Sequence, residues 1–232
     1  MGKIIVIEGT DASGKETQTA RLFEALVSRG TRVRKISFPN YGAPACAPVE
    51  FYLSGGFGED PLRINPYPIS AMYAIDRYAS YQTDWGAFYR EGGVLITDRY
   101  VTSNMIHQGG KISDPDEKQR YFEWLEDLEY EKMGIPRPDL VIFLNMPVSV
   151  GIQLMKARQN KMTGGKSPDI HEKSPDYLQK AHDTACEVAR RYGWREIRCV
   201  RGNSEGPGAE MRALKSVEDI GNEILTMVRE LL

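Results

Sequence analysis

The chain has 232 residues, of which 41% are hydrophobic, and this length suits one α/β domain spanning residues 1–232. Its 30 basic and 32 acidic residues leave a formal charge of -2, so we expect no nucleic-acid partner. No apolar run approaches the length of a membrane span, and the sequence enters a strand without a charged leader, so we expect a cytoplasmic protein without a membrane anchor. The scattered cysteines Cys46, Cys186 and Cys199 are typical of reduced thiols.

A glycine-rich loop follows the first predicted strand, Lys3 to Glu8. It reads Gly9-Thr10-Asp11-Ala12-Ser13-Gly14-Lys15-Glu16-Thr17. The pattern predicts a phosphate-binding loop, in which backbone N–H groups and the positive end of the following helix point at phosphate oxygens. The Lys15 ammonium would reach the β- and γ-phosphates as a mobile point charge. Residues 9 to 17 are therefore our candidate ATP site, the alternative being a glycine turn that binds nothing.

Glu16 stands where such loops usually carry Ser or Thr, whose hydroxyl binds Mg²⁺, and Thr17 comes one position late. Two interpretations stay open. The Glu16 carboxylate could ligate Mg²⁺ itself, because a hard cation accepts carboxylate oxygen. It could also face solvent from the first helical turn, where acidic residues are favoured. We keep Glu16 as a candidate metal ligand.

Periodicity predicts alternating helices and strands along the rest of the chain. In order, they are a helix ending at Gly30, a strand from Val33 to Phe38, a helix from Ile69 to Tyr89, a strand from Val94 to Asp98, an acidic helix from Asp116 to Lys132, a strand from Leu140 to Leu144, a helix from Val148 to Arg158, a helix from Asp176 to Tyr192, a strand from Ile197 to Val200 and a helix from Val217 to Leu232. This alternation predicts a three-layer α/β/α fold with a central parallel sheet, whose ligands bind beyond the carboxyl ends of the strands.

Asp98 and Arg99 end a predicted strand at the same sheet edge as the phosphate loop. A carboxylate there suits Mg²⁺ or a substrate proton, and an arginine suits a second phosphate held by two hydrogen bonds. The alternative is a surface ion pair that merely ends a strand. We predict a catalytic role for both residues and a metal role for Asp98.

Five segments together resemble the motifs of the thymidylate kinase family, over Ile4 to about Trp194. The first is the phosphate loop. Phe38-Pro39-Asn40-Tyr41 is similar to the family's F-P-x-Y segment, and Tyr73-Ala74-Ile75-Asp76-Arg77 is similar to its aromatic-x-x-D-R helix. Asp98-Arg99-Tyr100, continued by Val101 to Gln108, is similar to its D-R-[YH] motif, and Asp169-Ile170-His171-Glu172 is similar to the acidic end of its lid. The resemblance implies a P-loop kinase fold with a flexible lid at about residues 158–175. It also implies transfer of the ATP γ-phosphoryl group to dTMP with Mg²⁺, and a homodimer.

The acceptor pocket implied by the resemblance has a partly independent chemical basis. Tyr73 and Arg77 lie four residues apart on one helix face, where a ring could stack on a base and a guanidinium could bind its carbonyl oxygen. Asn104 offers the donors and the acceptor that a pyrimidine imide edge requires. In isolation, a core Tyr73 and a surface Arg77 would be the better interpretation. The full implied dTMP set is Asp11, Phe38, Pro39, Tyr41, Tyr73, Arg77, Arg99, Ser103, Asn104, His107, Gln108 and Glu172.

Basic charge for the transition state is expected from the lid, because the loop has no arginine between Thr10 and Ser13. By resemblance, Arg158 and Lys161 would bind ATP, and Lys166 would be catalytic where relatives often have arginine. Solvated surface charge is the alternative for these three residues.

Two residues depart from the family pattern. Asn40 stands where some relatives have a phosphate-binding arginine, and Asn145 stands where the family usually has aspartate. We expect these departures to tune the reaction rate or the metal affinity. Asp11 is expected to point away from ATP, toward the acceptor. The rival functions are a kinase of another deoxynucleoside monophosphate and a nucleotide-binding protein without activity.

Overall fold

The computed structural model of the chain describes residues 1–161, 169–202 and 208–232, apart from the side chains of residues 158–161 and 209. Its strands form one parallel sheet in the order β2-β3-β1-β4-β5. The strands are β1 Lys3–Glu8, β2 Val33–Ser37, β3 Val94–Asp98, β4 Leu140–Asn145 and β5 Arg195–Arg198. Because all pairings are parallel, the carboxyl ends of the strands meet at one edge of the sheet.

Helices connect the strands. They are α1 Lys15–Val27, α2 Ala47–Leu53, α3 Pro66–Ser80, α4 Gly86–Arg90, α5 Val101–His107, α6 Pro115–Glu126, α7 Val148–Lys161, α8 Pro175–Arg191, α9 Ala209–Arg212 and α10 Val217–Arg229. Three of them, α3, α6 and α8, begin with proline, each after a side-chain cap from Asn65, Asp114 or Ser174. Proline fits this position because the first helical N–H groups have no partner within the helix.

The central strand is buried on both faces. Ile4 and Val6 of β1 belong to one apolar core, with Leu95. Ile5 and Ile7 belong to the other, on the opposite face of the sheet. Helices therefore cover both faces of the parallel sheet, which confirms the predicted α/β/α layers. No helix in the described ranges is long and apolar enough to cross a membrane.

Several predicted boundaries were wrong by a few residues. The helix predicted over 69–89 begins at Pro66, where the Asn65 cap sets the start, and it continues through a π-helical turn, Tyr81–Trp85, into α4. The acidic helix begins one residue early, at Pro115, and ends as predicted at Lys132, after a π-helical turn over Asp127–Lys132. The strand predicted over 197–200 lies at Arg195–Arg198, where it pairs with β4. The strand predicted to reach Phe38 ends at Ser37, before a cis Phe38–Pro39 peptide.

The ends of four helices differ too, and the first of them, α1, ends at Val27 and not at Gly30. α7 continues to Lys161, three residues past the predicted end, while α8 runs over Pro175–Arg191 and α10 ends at Arg229. Three short helices were not predicted, α2, α5 and α9. The prolines before residue 50 suggested only a break, but Pro48 occupies the first turn of α2, where a missing N–H breaks no helical hydrogen bond.

Candidate active site

The phosphate loop connects β1 directly to α1. Gly14 caps α1 with a φ of 88°, a left-handed conformation that favours glycine. A Cβ atom on Gly9 would lie 2.4 Å from the Ser13 hydroxyl oxygen, so glycine is needed there for close approach. The Lys15 ammonium donates to the Thr10 carbonyl at 2.9 Å, across the loop. Both glycines thus stand where a side chain would distort the predicted phosphate cradle.

A cavity of about 1030 Å³, here called the loop cavity, opens between the phosphate loop and the ends of the neighbouring strands. Its lining is Asp11, Ala12, Gly14, Lys15, Glu16, Thr17, Ser37, Phe38, Pro39, Tyr41, Asp98, Arg99, Leu154 and Glu172. Gly9, Thr10 and Ser13 belong to the loop itself and are absent from this lining. The loop cavity therefore brings six of the nine predicted loop residues together with both residues of the Asp98-Arg99 pair.

Two acids of the loop cavity differ in environment. Glu16 is exposed at the start of α1, so the structure leaves both interpretations of its side chain open. Asp98 has one carboxylate oxygen, Oδ1, that is buried and has no hydrogen-bond partner among the described residues. A buried carboxylate oxygen of this kind is suited to a cation or a proton donor brought in by a ligand.

A second cavity of about 710 Å³, the inner cavity, adjoins the first. It is lined by Asp11, Phe38, Pro39, Tyr41, Leu53, Tyr73, Arg77, Arg99, Ser103, Asn104, His107, Gln108, Asp169, His171 and Glu172. All twelve residues predicted for the acceptor are present. Leu53, Asp169 and His171 were not among the predicted site residues, although Asp169 and His171 belong to the recognised 169–172 segment.

Arg99 lies where the two cavities meet and lines both. Its backbone has a φ of 68°, a conformation that a residue with a side chain rarely adopts and that the surrounding structure must hold in place. The guanidinium donates to the Asp11 carboxylate at 2.5 Å and contacts Nε2 of His107 at 2.6 Å. With five N–H groups in all, it keeps donors for a phosphate.

Asp11 lines both cavities with its carboxylate turned to Arg99, so it lies at the junction and not only on the acceptor side. Burial opposes its ionisation, but the charges of Arg99 and Lys15 outweigh burial and hold the Asp11 pKa far below its ordinary value. Burial lowers the pKa of Lys15, and the nearby Arg99 charge lowers it further. The junction thus pairs the Arg99 cation with the Asp11 carboxylate, with Lys15 nearby in the loop cavity and Glu172 in both linings.

Arg77 is almost fully buried at the inner cavity. It donates two hydrogen bonds of 2.6 Å to Glu129, a residue of the π-helical turn after α6. Its Nη1 also approaches the Tyr100 carbonyl at 3.4 Å. Asn104 donates to the Ser70 carbonyl at 3.3 Å, which leaves its amide oxygen as an acceptor. The surface position considered for Arg77 is wrong, because Glu129 neutralises its charge inside the protein.

Sequence reasoning missed Glu129 and Glu8. Glu8 ends β1 beneath the loop, is fully buried, and accepts hydrogen bonds from Thr102 at 2.6 Å and from Ser103 at 2.8 Å. The Ser103 hydroxyl is therefore engaged with Glu8, although Ser103 lines the inner cavity. Glu8 stood at the end of an apolar run, which is a usable signal, whereas nothing distinguished Glu129 from the other acids of its helix.

Several predicted residues lie elsewhere. Lys166 falls outside the described residues, as do the side chains of Arg158 and Lys161. Asn145 is absent from the described linings of both cavities; its amide donates to Glu196 at 2.9 Å and its oxygen contacts Nε2 of His182 at 2.9 Å. An ionised aspartate could not make this bridge, because it has no donor.

Asn40 is exposed, and its backbone N–H donates to Asp76 at 2.9 Å. It is likewise not part of either described lining. The expected tuning of rate or metal affinity by Asn40 and Asn145 remains a prediction.

Comparison with known proteins relates this site to a family. The thymidylate kinase of Mycobacterium tuberculosis is 27% identical over 206 residues, which are 88% of this chain and 94% of that protein. A probable thymidylate kinase of Thermococcus onnurineus is 29% identical over 226 residues, 97% of this chain and 96% of the relative. Human thymidylate kinase is 26% identical over 148 residues, 64% of this chain and 63% of the human protein. A family model described as thymidylate kinase matches residues 7–201, and the chain therefore belongs to the thymidylate kinase family.

Proposed function

We propose that this chain is a thymidylate kinase, which transfers the γ-phosphoryl group of ATP to dTMP and produces dTDP for dTTP synthesis. One observation carries the proposal: the loop cavity and the inner cavity, which holds every residue predicted for the acceptor, meet at Arg99. Phosphoryl transfer needs two phosphates aligned at one point with positive charge around them, and this junction offers that arrangement.

ATP occupies the loop cavity in this proposal. Backbone N–H groups of residues 9 to 17 and the start of α1 hold its phosphates, and Lys15 reaches from the loop toward the β- and γ-phosphates. Lys166, with Arg158 and Lys161, would add positive charge from the 158–175 segment.

Mg²⁺ would enter with ATP, and the loop cavity suits it chemically. Asp98 has a buried oxygen without a partner among the described residues, and Glu16 adds a second candidate carboxylate. The described residues contain no group of three or more acidic, histidine or cysteine side chains able to hold a metal. Mg²⁺ is commonly held through one or two carboxylates and substrate phosphates, which fits this donor set. When bound, the ion would neutralise developing charge on the transferred group.

dTMP occupies the inner cavity. Its phosphate would meet the remaining N–H donors of Arg99, and Asp11, which lines the same cavity, would accept a hydrogen bond from the sugar hydroxyl. The Tyr73 ring, which lines the same cavity, offers a plane for the base. Arg77 and Asn104 supply a donor to a base carbonyl and an acceptor for the imide N–H.

The reaction then needs little covalent chemistry from the protein. An oxygen of the dTMP phosphate attacks the γ-phosphorus, the bond to the β–γ bridging oxygen breaks, and ADP leaves with that electron pair. Lys15 and Arg99 stabilise the charge on the transferred group and hold the two phosphates in line.

We further propose a homodimer that uses α3. Ile75 and Tyr78 on this helix are 51% and 40% exposed, although the same helix carries Tyr73 and Arg77 into the inner cavity. Covering this apolar face would remove large hydrophobic side chains from water and stiffen the helix that positions the acceptor.

A coupled assay of ADP release across a panel of nucleoside monophosphates tests the proposal. We expect the highest kcat/KM for dTMP, with dUMP lower by about 10- to 200-fold because one methyl contact is lost. Purine monophosphates should react poorly, since they present a larger ring and a different edge. Preference for another deoxynucleoside monophosphate would reassign the acceptor, and ATP binding without ADP release for any acceptor would reject an enzyme.

A further inference from the structure

A continuous series of buried hydrogen bonds runs from Arg99 through His107 and His171, which also line the inner cavity, to two tyrosines that line neither cavity. Its contacts are Arg99 Nη1 to His107 Nε2 at 2.6 Å, His107 Nδ1 to Tyr177 Oη at 3.2 Å, Tyr177 Oη to His171 Nδ1 at 3.4 Å, and His171 Nε2 to Tyr52 Oη at 2.7 Å. We call these five residues the Arg99 hydrogen-bond chain. It connects the end of β3 with α5, α8, α2 and the segment before α8.

The rings of this chain are closely packed as well as hydrogen-bonded. His171 stacks on Tyr177 with ring centres 4.3 Å apart, and His107 lies nearly parallel to His171 at 5.8 Å. The four side chains beyond Arg99 are each 6% exposed or less. The dTMP assignment includes His107 but leaves unexplained why His107 is joined to a second buried histidine and two buried tyrosines.

Arg99 fixes the direction of the first hydrogen bond, and the partners of Tyr177 carry that direction along the chain. A guanidinium has donors only, so Nε2 of His107 must accept and its proton must be on Nδ1. That proton is donated to Tyr177, whose own hydroxyl proton then has no acceptor among the described residues other than Nδ1 of His171. His171 consequently carries its proton on Nε2 and donates it to Tyr52.

The far end of the chain is compatible with this direction. Lys111 donates to the Tyr52 oxygen at 3.0 Å, and a hydroxyl oxygen has two lone pairs, so it can accept from Lys111 and His171 together. The opposite direction would end with N–H groups of His107 and Arg99 facing each other at 2.6 Å, which is repulsive.

We infer that His107, Tyr177 and His171 are positioning residues that hold the Arg99 guanidinium against Asp11. All hydrogen bonds between them run in the same donor-to-acceptor direction, away from Arg99, and both histidines are neutral. Asp11 holds one edge of the guanidinium and His107 holds another, so the remaining donors point in a defined direction. The orientation of Arg99 is a property of the free protein. Its effect on dTMP rests on the proposed function.

The charges around the two rings agree with neutral histidines. Burial, followed by the nearby charge of Arg99, lowers the pKa of His107 well below its ordinary value. Burial lowers the pKa of His171 to about 3, and Lys111 and Arg99 act in the same direction. Asp11 favours protonation of both rings, while Lys15 disfavours it at His107. Tyr52 and Tyr177, which contact the rings directly, are themselves buried.

Nuclear magnetic resonance of the ligand-free protein tests the direction without any assay. The chain contains three histidines, so ¹⁵N–¹H correlation spectra of the rings are assigned by His107→Gln, His171→Gln and His182→Gln, each of which removes one set of signals. At pH 7 we expect the Nδ1–H form for His107 and the Nε2–H form for His171. An Nε2–H form of His107, or a protonated ring at either position, would overturn the inference.

Kinetics of Tyr177→Phe test the positioning role. The substitution removes one hydroxyl from the chain and keeps the stacked ring, and Tyr177 is absent from the described linings of both cavities. We expect the KM for dTMP to rise about 3- to 10-fold, because one buried hydrogen bond is lost, while the KM for ATP stays within about twofold. Tyr89→Phe removes a hydroxyl from another buried tyrosine, in α4, and is the matched control.

The two experiments fail separately. If Tyr177→Phe and Tyr89→Phe have the same KM for dTMP, Tyr177 does not position Arg99 and the inference is wrong. If the wild-type protein has no activity with dTMP, the proposed function is wrong, and the histidine spectra still decide whether the chain has the inferred direction.

Discussion

Arg77 and Glu129 form an ion pair with two hydrogen bonds of 2.6 Å, although they lie 52 residues apart in the sequence. The two side chains are 1% and 0% exposed, so the pair has almost no contact with solvent. Burial of both charges is tolerable only because each neutralises the other. Arg77 therefore combines a structural role with its proposed contact to the base.

A double variant separates these two roles. Arg77→Ala alone leaves the Glu129 carboxylate buried and unpaired, and we expect it to lower the free energy of unfolding by about 3 to 5 kcal/mol in urea. Arg77→Met combined with Glu129→Leu removes both charges and should restore most of that stability. The double variant should still have a KM for dTMP raised about 10- to 100-fold, with an unchanged KM for ATP. A normal KM for dTMP in a stable double variant would leave Arg77 with a structural role only.

Lys15→Ala tests the phosphate loop. The Lys15 ammonium is part of the loop cavity, and its hydrogen bond to Thr10 stays within the loop, so the fold should survive its removal. We expect kcat to fall by about 10²- to 10³-fold, because a charge aimed at the transferred phosphoryl group is lost. Lys3→Ala, at the opposite end of β1, serves as the control and should retain turnover. Near-normal turnover of Lys15→Ala would contradict the loop assignment.

Glu16 can be tested by magnesium titration of turnover. If its carboxylate contacts the metal, Glu16→Gln should raise the Mg²⁺ concentration at half-maximal rate several-fold, while Glu16→Ser restores the usual hydroxyl ligand and changes it little. We expect this result, because Lys15 and other basic residues can offset an added carboxylate beside the triphosphate. Glu24→Gln, an exposed position on the same helix, is the control. Identical midpoints for all variants would assign Glu16 to solvent.

Buried His171 should make the free energy of unfolding fall as the pH is lowered. Its pKa is about 3 in the folded protein, where burial is the main cause, against about 6.5 when unfolded. Below pH 6.5 the unfolded state binds a proton that the folded state excludes, so stability falls with pH by about 1.4 kcal/mol per unit from this residue, until about pH 3.

His171→Gln should therefore gain stability relative to the wild type as the pH is lowered from 6.5. Urea unfolding of the two proteins at several pH values between 7.5 and 4.5 measures the difference. The comparison removes the contributions of the carboxyl groups that both proteins share. A difference that does not change with pH would show that His171 is not held neutral.

Local sequence patterns were sufficient to predict where the main segments of the candidate site lie in the fold. The loop from Gly9 to Thr17 and the Asp98-Arg99 pair both follow apolar runs that read as parallel strands, and parallel strands bring their carboxyl ends to one edge. The four-residue spacing of Tyr73 and Arg77 placed both on one helix face, and both line the inner cavity. These positions could be predicted because they depend on a strand period, a helix period and a sheet edge, which are properties of short segments.

The tertiary structure alone decided which groups neutralise and orient those residues. Glu129 reaches Arg77 because the helix carrying it packs beside α3, and Glu8 meets Thr102 and Ser103 only after β1 and α5 come together. The partners of Arg99 in its hydrogen-bond chain come from four further segments. A buried charge can be matched by any chain segment that passes within about 3 Å, so its partner is chosen by packing between distant elements and leaves no periodic signal in the sequence.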